Sequence, residues 1–170
     1  LLTVIPNENY NGDIAVTVTA SDGDLTGQSS FTLTVNPVND APIVDAILND
    51  SVDEDQSYIL EINASDIDGD QLTLTADVDG NGAASIDGNT LTVIPSQDYN
   101  GDIVVTVTAS DGQLLGQSSF TLTVNPVNDA PVVDTILNDS VDEDQSYILE
   151  ISASDVDGDQ LPLTAGVDAN

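Results

Sequence analysis

The sequence predicts an all-β chain of tandem sandwich domains, on three observations. Apolar residues alternate with polar ones at period two, as in Ile103-Val-Val105-Thr-Val107-Thr-Ala109 and Phe120-Thr-Leu122-Thr-Val124, the pattern of a strand with one face buried. Turn-forming clusters break that alternation at short intervals, and no segment carries the apolar stripe of a helix. The chain also repeats itself. Slid by 89 residues, 67 of the 81 overlapping positions are identical and no gap is needed.

The repeat sets the domain organisation. Phe31 through Pro42 returns unchanged as Phe120 through Pro131, and Leu2-Thr-Val-Ile-Pro6 as Leu91 through Pro95. A unit of 89 residues has the size of a small domain. With Pro-Val-Asn-Asp-Ala-Pro as the junction, residues 1–40 are the back half of one repeat, 41–129 a complete repeat and 130–170 the front half of a third. The sequence reads as a slice of a longer array.

Within the complete repeat the alternation predicts seven strands, near residues 43–48, 57–63, 71–78, 83–86, 90–94, 102–109 and 117–124. Turns separate them at Asp66-Ile-Asp-Gly-Asp70, Asp79-Gly-Asn-Gly82, Asp87-Gly-Asn89, Asn100-Gly101 and Ser110-Asp-Gly112. Seven short strands in 89 residues is the complement of a Greek-key sandwich of the immunoglobulin type. Tyr99, repeated as Tyr10, reads as an aromatic at the core's edge, with a tyrosine-corner hydrogen bond as the alternative. The Thr rows at Thr106, Thr108, Thr121 and Thr123 read as β-branched residues on the solvent side of strands.

Composition excludes whole classes of function. The 170 residues hold 31 acids and no Lys, Arg, His or Cys, for a net charge of −31. Imidazole and thiol catalysis, disulfides and zinc sites of the N/S kind have no residues to use. Nucleic acid is repelled, because nothing is present to neutralise phosphate, and no apolar run is long enough to cross a bilayer. Of the acids, 26 are Asp. Bound hard cations, which take oxygen ligands, are the natural source of the missing positive charge. The lack of Cys and Met fits a protein exposed to oxidation outside the cell.

The acids fall into a specific pattern. The linker Val38-Asn-Asp-Ala-Pro42, the loop Asp66-Ile-Asp68 and the strand end Ala109-Ser-Asp-Gly112 resemble the calcium motifs of cadherin repeats. In detail, Val-Asn-Pro-Val-Asn-Asp-Ala-Pro and Asp-x-Asp-Gly-Asp are similar to the cadherin-like tandem repeats of very large bacterial surface and biofilm proteins. The resemblance covers essentially the whole chain. It implies calcium between consecutive domains, held by the end of one, the linker and the loops of the next. By position it assigns Asn39, Asp40, Asp66, Asp68 and Asp111 to the first junction, with Glu8 in the loop that precedes it. The second junction receives Glu54, Asp98, Asn128, Asp129, Asp155 and Asp157. Asn36 and Ala41 stand where the cadherin linker has further oxygen ligands, which implies fewer ions per junction than in animal cadherins. An EF-hand does not fit, because Gln71 occupies the position that needs glycine.

Two carboxylates about 5 Å apart repel by roughly 3 kcal/mol at an effective dielectric near 20. Four or five converging without a cation exceed what a small domain withstands. The expected function is therefore a calcium-stiffened structural repeat of a large extracellular or cell-surface protein, a rod or filament for adhesion or matrix. Its expected partners are neighbouring repeats and other copies of the same chain. A calcium-dependent polysaccharide-binding module is the alternative, with cell-surface or matrix polysaccharide as its partner. No catalytic role is expected, since the same acids recur in each copy at the linkers.

Overall fold

A computed structural model describes residues 1–167; residues 168–170, the end of the third segment, lie outside the described part. All of its regular structure is β. The back half of the first repeat is a hairpin, β1 (Gly12–Ser21) and β2 (Thr26–Val35). The complete repeat contributes β3 (Ile43–Val44), β4 (Asp50–Asp53), β5 (Tyr58–Glu61), β6 (Ala64–Ser65), β7 (Thr73–Val78), β8 (Gly82–Asp87), β9 (Thr90–Pro95), β10 (Gly101–Ser110) and β11 (Leu115–Asn125). In the third segment β12 (Val132–Val133) pairs with β13 (Ala153–Ser154).

In the complete repeat one sheet has the order β4-β11-β10-β7, and the facing layer is β5-β9-β8 with the short β3-β6 pair. Only β4 and β11 run parallel. This is the two-sheet sandwich that the strand count predicts.

Period two explains the layering. Along β10, Ile103, Val105, Val107 and Ala109 have no exposed surface, while the residues between them point outward. Ile103 lies opposite Leu122 and Val105 opposite Phe120 on β11, and Leu91 and Val93 of β9 close the core from the other sheet. Tyr58 and Phe120 stack tilted with ring centroids 5.9 Å apart. Each such aliphatic side chain contributes about 1.5–3 kcal/mol when taken fully from water.

The first two predicted strands come out differently. The stretch expected to be one strand over 43–48 pairs only at Ile43–Val44, then crosses to the other sheet and pairs again at Asp50–Asp53. The second divides into β5 and β6. Asp45 and Asn49 mark the crossing, and the Asn49 side chain accepts a hydrogen bond from the Thr121 N–H (2.9 Å). Polar side chains thus serve the backbone while it changes sheets.

Tyr99 is the core-edge aromatic expected, and its hydroxyl bonds downstream, whereas a tyrosine corner bonds back upstream. It packs against the core and its hydroxyl donates to the Asp102 carbonyl (2.9 Å), as Tyr10 does to Asp13 (2.9 Å). The ring lies over Gly101, whose φ is +134° and where a Cβ would come 2.9 Å from the Tyr99 hydroxyl. Only glycine fits that position.

Candidate metal centre at the repeat junctions

The second linker is fastened to the repeat it leaves. The Glu54 N–H donates to the Asn125 carbonyl (2.9 Å), the Asn125 amide to Asp53 (3.2 Å) and the Val127 N–H to Glu54 Oε1 (2.5 Å). Glu54 is the one buried charged side chain of the described residues, 3% exposed. Its carboxylate is thereby held at the exit of the sandwich. The same linker is fastened to the segment it enters, since the Asp129 N–H donates to Asp157 Oδ2 (2.7 Å). Asp155 shapes that loop by accepting from the N–H groups of Asp157 (3.0 Å) and Asp159 (3.3 Å).

These bonds bring carboxylates together from three parts of the chain. One oxygen each of Glu54, Asp129 and Asp157 lie within 4.8 Å of one another, and so do oxygens of Asp55, Asp98 and Asp129. Asp129 belongs to both groups. Its Oδ2 is buried and has no hydrogen-bond partner. Burial, then the negative charges of Asp98, Asp157, Asp55 and Glu54, hold its carboxyl above the usual carboxylate value. At such separations the carboxylates repel one another. No lysine, arginine or histidine exists in the chain to relieve it.

The donor set is all oxygen and mostly anionic, the chemistry of a calcium site. An unpartnered buried carboxylate oxygen on the residue common to both groups fits a cation there. Asp55 was not among the residues singled out from the sequence. Its neighbour Glu54 was, and Asp55 shares with Asp98 a left-handed backbone (φ 61° and 54°) and accepts from the Asp98 N–H (3.3 Å). A single Asp at a turn carries no signal that separates a ligand from a backbone cap. Asn128 stands beside this site with its amide on the Asp129 carbonyl (2.9 Å).

The first linker shows the other half of the arrangement. Asn39 donates to Asp111 Oδ2 (2.8 Å) and to the Asp40 carbonyl (3.2 Å), and the Asp40 N–H donates to Asp68 Oδ2 (2.8 Å). Asp66 accepts from the Asp68 N–H (2.8 Å), and its Oδ2 is buried without a partner. Glu8, Asn9, Asp40 and Asp66 line one cleft. The linker thus gathers Asp66, Asp68 and Asp111 at one end of the sandwich.

Asp111 has a structural task as well. Its Oδ1 accepts from the N–H groups of Gln113 and Leu114 (both 2.6 Å), closing the turn between β10 and β11. Those two bonds, then the Asn39 amide, hold its carboxyl below the usual value.

The family model described as bacterial Ig domain matches residues 39–125, just over half of the chain. The chain belongs to the bacterial Ig domain family. The match runs from the first linker to the end of β11 and takes in Glu54, Asp55 and Asp98, while Asp129, Asp155 and Asp157 follow it.

Solved structures with similar coordinates include three of different kinds. A Drosophila N-cadherin EC1-3 structure is 13% identical with a TM-score of 0.44, over 69% of this chain and 45% of that one. An endo-fucoidan hydrolase from glycoside hydrolase family 107 is 19% identical with a TM-score of 0.43, over 69% of this chain. Domains 4 and 5 of the S-layer protein SbsC are 20% identical with a TM-score of 0.37, over 67% of this chain and 59% of that one. This chain spans 19% of the length of the fucoidan hydrolase. A search of curated proteins found no match.

Proposed function

We propose that this Ig-like repeat is a calcium-stiffened structural module of a large extracellular or cell-surface protein, one element of a rod or filament that serves adhesion or matrix. The observation that carries the reading is the shared carboxylate Asp129. It sits between Glu54 of the repeat behind it and Asp157 of the segment ahead, with a buried oxygen that no protein group satisfies. An ion bound there ties two domains into one unit.

In this reading the chain's residues divide the work. Glu54, Asp55 and Asp98 are presented by the end of one sandwich, Asp129 by the linker, and Asp157 by the next repeat's loop, which Asp155 shapes. Asn39, Asp40, Asp66 and Asp68 take the corresponding places at the first junction, and Asn128 and Asp111 position backbone and linker. Calcium supplies the positive charge that lets these carboxylates converge, at oxygen distances of about 2.3–2.6 Å. Neighbouring repeats are the first partners, and copies of the same chain in a filament the second. The cadherin-like linker motif Val-Asn-Asp-Ala-Pro supports the same reading.

Small-angle scattering in calcium and in EDTA tests it. The reading expects a longer particle with a narrower distribution of shapes in calcium, and a more compact, more flexible one after chelation. Identical profiles in both conditions overturn calcium as the stiffener.

A further inference from the structure

The two main sheets of the complete repeat have four edge strands, β4, β7, β5 and β8, and three of them are guarded. β4 carries Asp50 and Asp53, and Asp50 Oδ1 accepts from the Ser51 N–H (2.8 Å). β7 carries Asp77, whose Oδ1 accepts from the Val78 N–H (3.0 Å). β5 has only four residues, ends on Glu61 and lines a cleft with the crossing segment 45–50 that runs beside it. Charge, shortness and cover are the ordinary means of keeping a strand edge from pairing with another chain. β8 has none of them before its last residue, Asp87. Its stretch Gly82-Ala-Ala-Ser-Ile86 is uncharged and free of proline, in a chain with 31 acids.

The backbone of β8 presents an unused ladder. Within the repeat it pairs with β9 alone. The Ser96 N–H donates to the Asn81 carbonyl (2.8 Å), in register with that pairing. Asn81, Ala83, Ser85 and Asp87 therefore turn their backbone groups toward β9, and Gly82, Ala84 and Ile86 turn theirs outward. Pro95, with no N–H to donate, accordingly stands opposite Gly82, where the ladder asks for none. We propose that two copies of this chain pair antiparallel through β8, about a two-fold axis at Ala84, joining their β5-β9-β8 layers into one continuous sheet.

A second copy is the occupant because this edge complements itself. In the register centred on Ala84, that residue meets Ala84 of the second copy, and Gly82 meets Ile86 in both directions. Each of these pairs exchanges two hydrogen bonds, so every outward N–H and C=O of the strand is used, which no shifted register achieves. Asp87 then falls opposite Asn81, an amide, and not opposite a carboxylate. Electrostatics selects the same edge. Two chains of net charge −31 repel over most of their surfaces, but the residues of β9 beside Ala83 and Ser85 are Ile94 and Thr92, also uncharged. Ile94 is 53% exposed and lies on the outer face next to the joint. Neighbouring repeats attach elsewhere. The first linker docks at Gly116 and the second leaves after Asn125, the two ends of β11, whereas β8 runs along the side of the sandwich. The pairing therefore sets repeats side by side, and it goes beyond the calcium reading because no junction carboxylate takes part.

Sedimentation of the 170-residue chain up to millimolar concentration, in EDTA and in enough salt to screen its charge, tests the pairing apart from calcium. The wild type is expected to reach twice the monomer mass and to stop there, because an isologous contact closes on itself. Ala84→Pro removes an outward N–H from the middle of the edge and leaves the β9 ladder its donors. It is expected to weaken pairing by about tenfold or more, with the melting transition as the folding control. Cysteines check the register independently of that variant, since the chain has none of its own. Position 83 of one copy faces position 85 of the other, so Ala83→Cys mixed with Ser85→Cys is expected to oxidise to a disulfide-linked dimer, and either variant alone to stay unlinked. A wild type that stays monomeric or grows past twice the monomer mass, a folded Ala84→Pro that pairs as tightly as the wild type, or single variants that link as fast as the mixture overturn the proposal.

Discussion

The linkers at 36–42 and 125–131 have the same seven residues, Asn-Pro-Val-Asn-Asp-Ala-Pro, and surroundings that differ. Around Asp129 stand the carboxylates of Glu54, Asp55, Asp98 and Asp157, in two groups of three. Asp40 shares its cleft with Glu8, Asn9 and Asp66, and among the described residues no group of three carboxylates closes there. Asn9 takes the backbone conformation of Asp98, φ 56° against 54°, but carries an amide where Asp98 carries a charge. The carboxylates close around the linker where the Glu54-Asp55 turn meets it, and for the first linker this sequence carries no counterpart of that turn. Half of the site belongs to the linker and the loop it enters, and half to the loop it leaves.

The largest effect expected from breaking this comparison is mechanical. A Cβ at Gly116 would lie 1.8 Å from the Pro42 carbonyl oxygen, whereas Gly27, the same position of the preceding copy, has no counterpart of Pro42 in this sequence and a Cβ there would meet nothing within 4 Å. Gly116→Ala must push the first linker off β11, at a cost of about 1–3 kcal/mol. Gly27→Ala is expected to change stability by less than about 0.5 kcal/mol. Urea denaturation of the two variants measures the difference; equal midpoints contradict linker docking at Gly116.

Smaller in energy but closer to the site is the contrast between Asp129→Asn and Asp40→Asn. Removing the carboxylate shared by both groups is expected to weaken the tightest calcium-binding step by about tenfold or more, roughly 1.4 kcal/mol. The equivalent change at Asp40 is expected to leave that step within about threefold, since Asp40 belongs to neither group of carboxylates. Calorimetric titration with calcium resolves the two. Equal losses would mean that the linker, not the Glu54-Asp55 turn, makes the site.

Whether an element was legible in the sequence depended on how local its contacts are. β10 and β11, expected at 102–109 and 117–124, run Gly101–Ser110 and Leu115–Asn125, because their alternation and the Asp111-Gly112 turn lie within one continuous stretch. The break into β3 and β4 was not legible. β4 pairs in parallel with β11 about 72 residues away (Asp50 with Leu122), and nothing in the run Ile47-Leu48-Asn49-Asp50 signals which sheet it joins. The junction divides in the same way. The repeat displays Asp129, Asp155 and Asp157 as a motif, yet Asp55 gains its meaning only from a turn that meets Asp98 across 43 residues.

The smallest effect is on pH dependence. With its folded value held above 3.8 by burial and four neighbouring carboxylates, Asp129 binds its proton more tightly in the folded protein than in the unfolded one. Its contribution therefore opposes folding at neutral pH, and stability is regained as pH falls through the folded value towards 3.8. Asp111, held below 3.8, acts in the opposite sense and loses its contribution only at lower pH. In EDTA, the melting temperature is expected to rise slightly on acidification towards pH 4 and to lose that slope in Asp129→Asn. In calcium the trend reverses, because protons compete with the ion.

The most direct test of the central claim is a crystal structure of the chain grown in millimolar calcium, phased to show anomalous signal from the ion. The account predicts a calcium ion bound by oxygens of Glu54, Asp129 and Asp157 at about 2.3–2.6 Å, with Asp129 Oδ2 no longer unpartnered. A well-ordered second junction with water or nothing between those three carboxylates contradicts it.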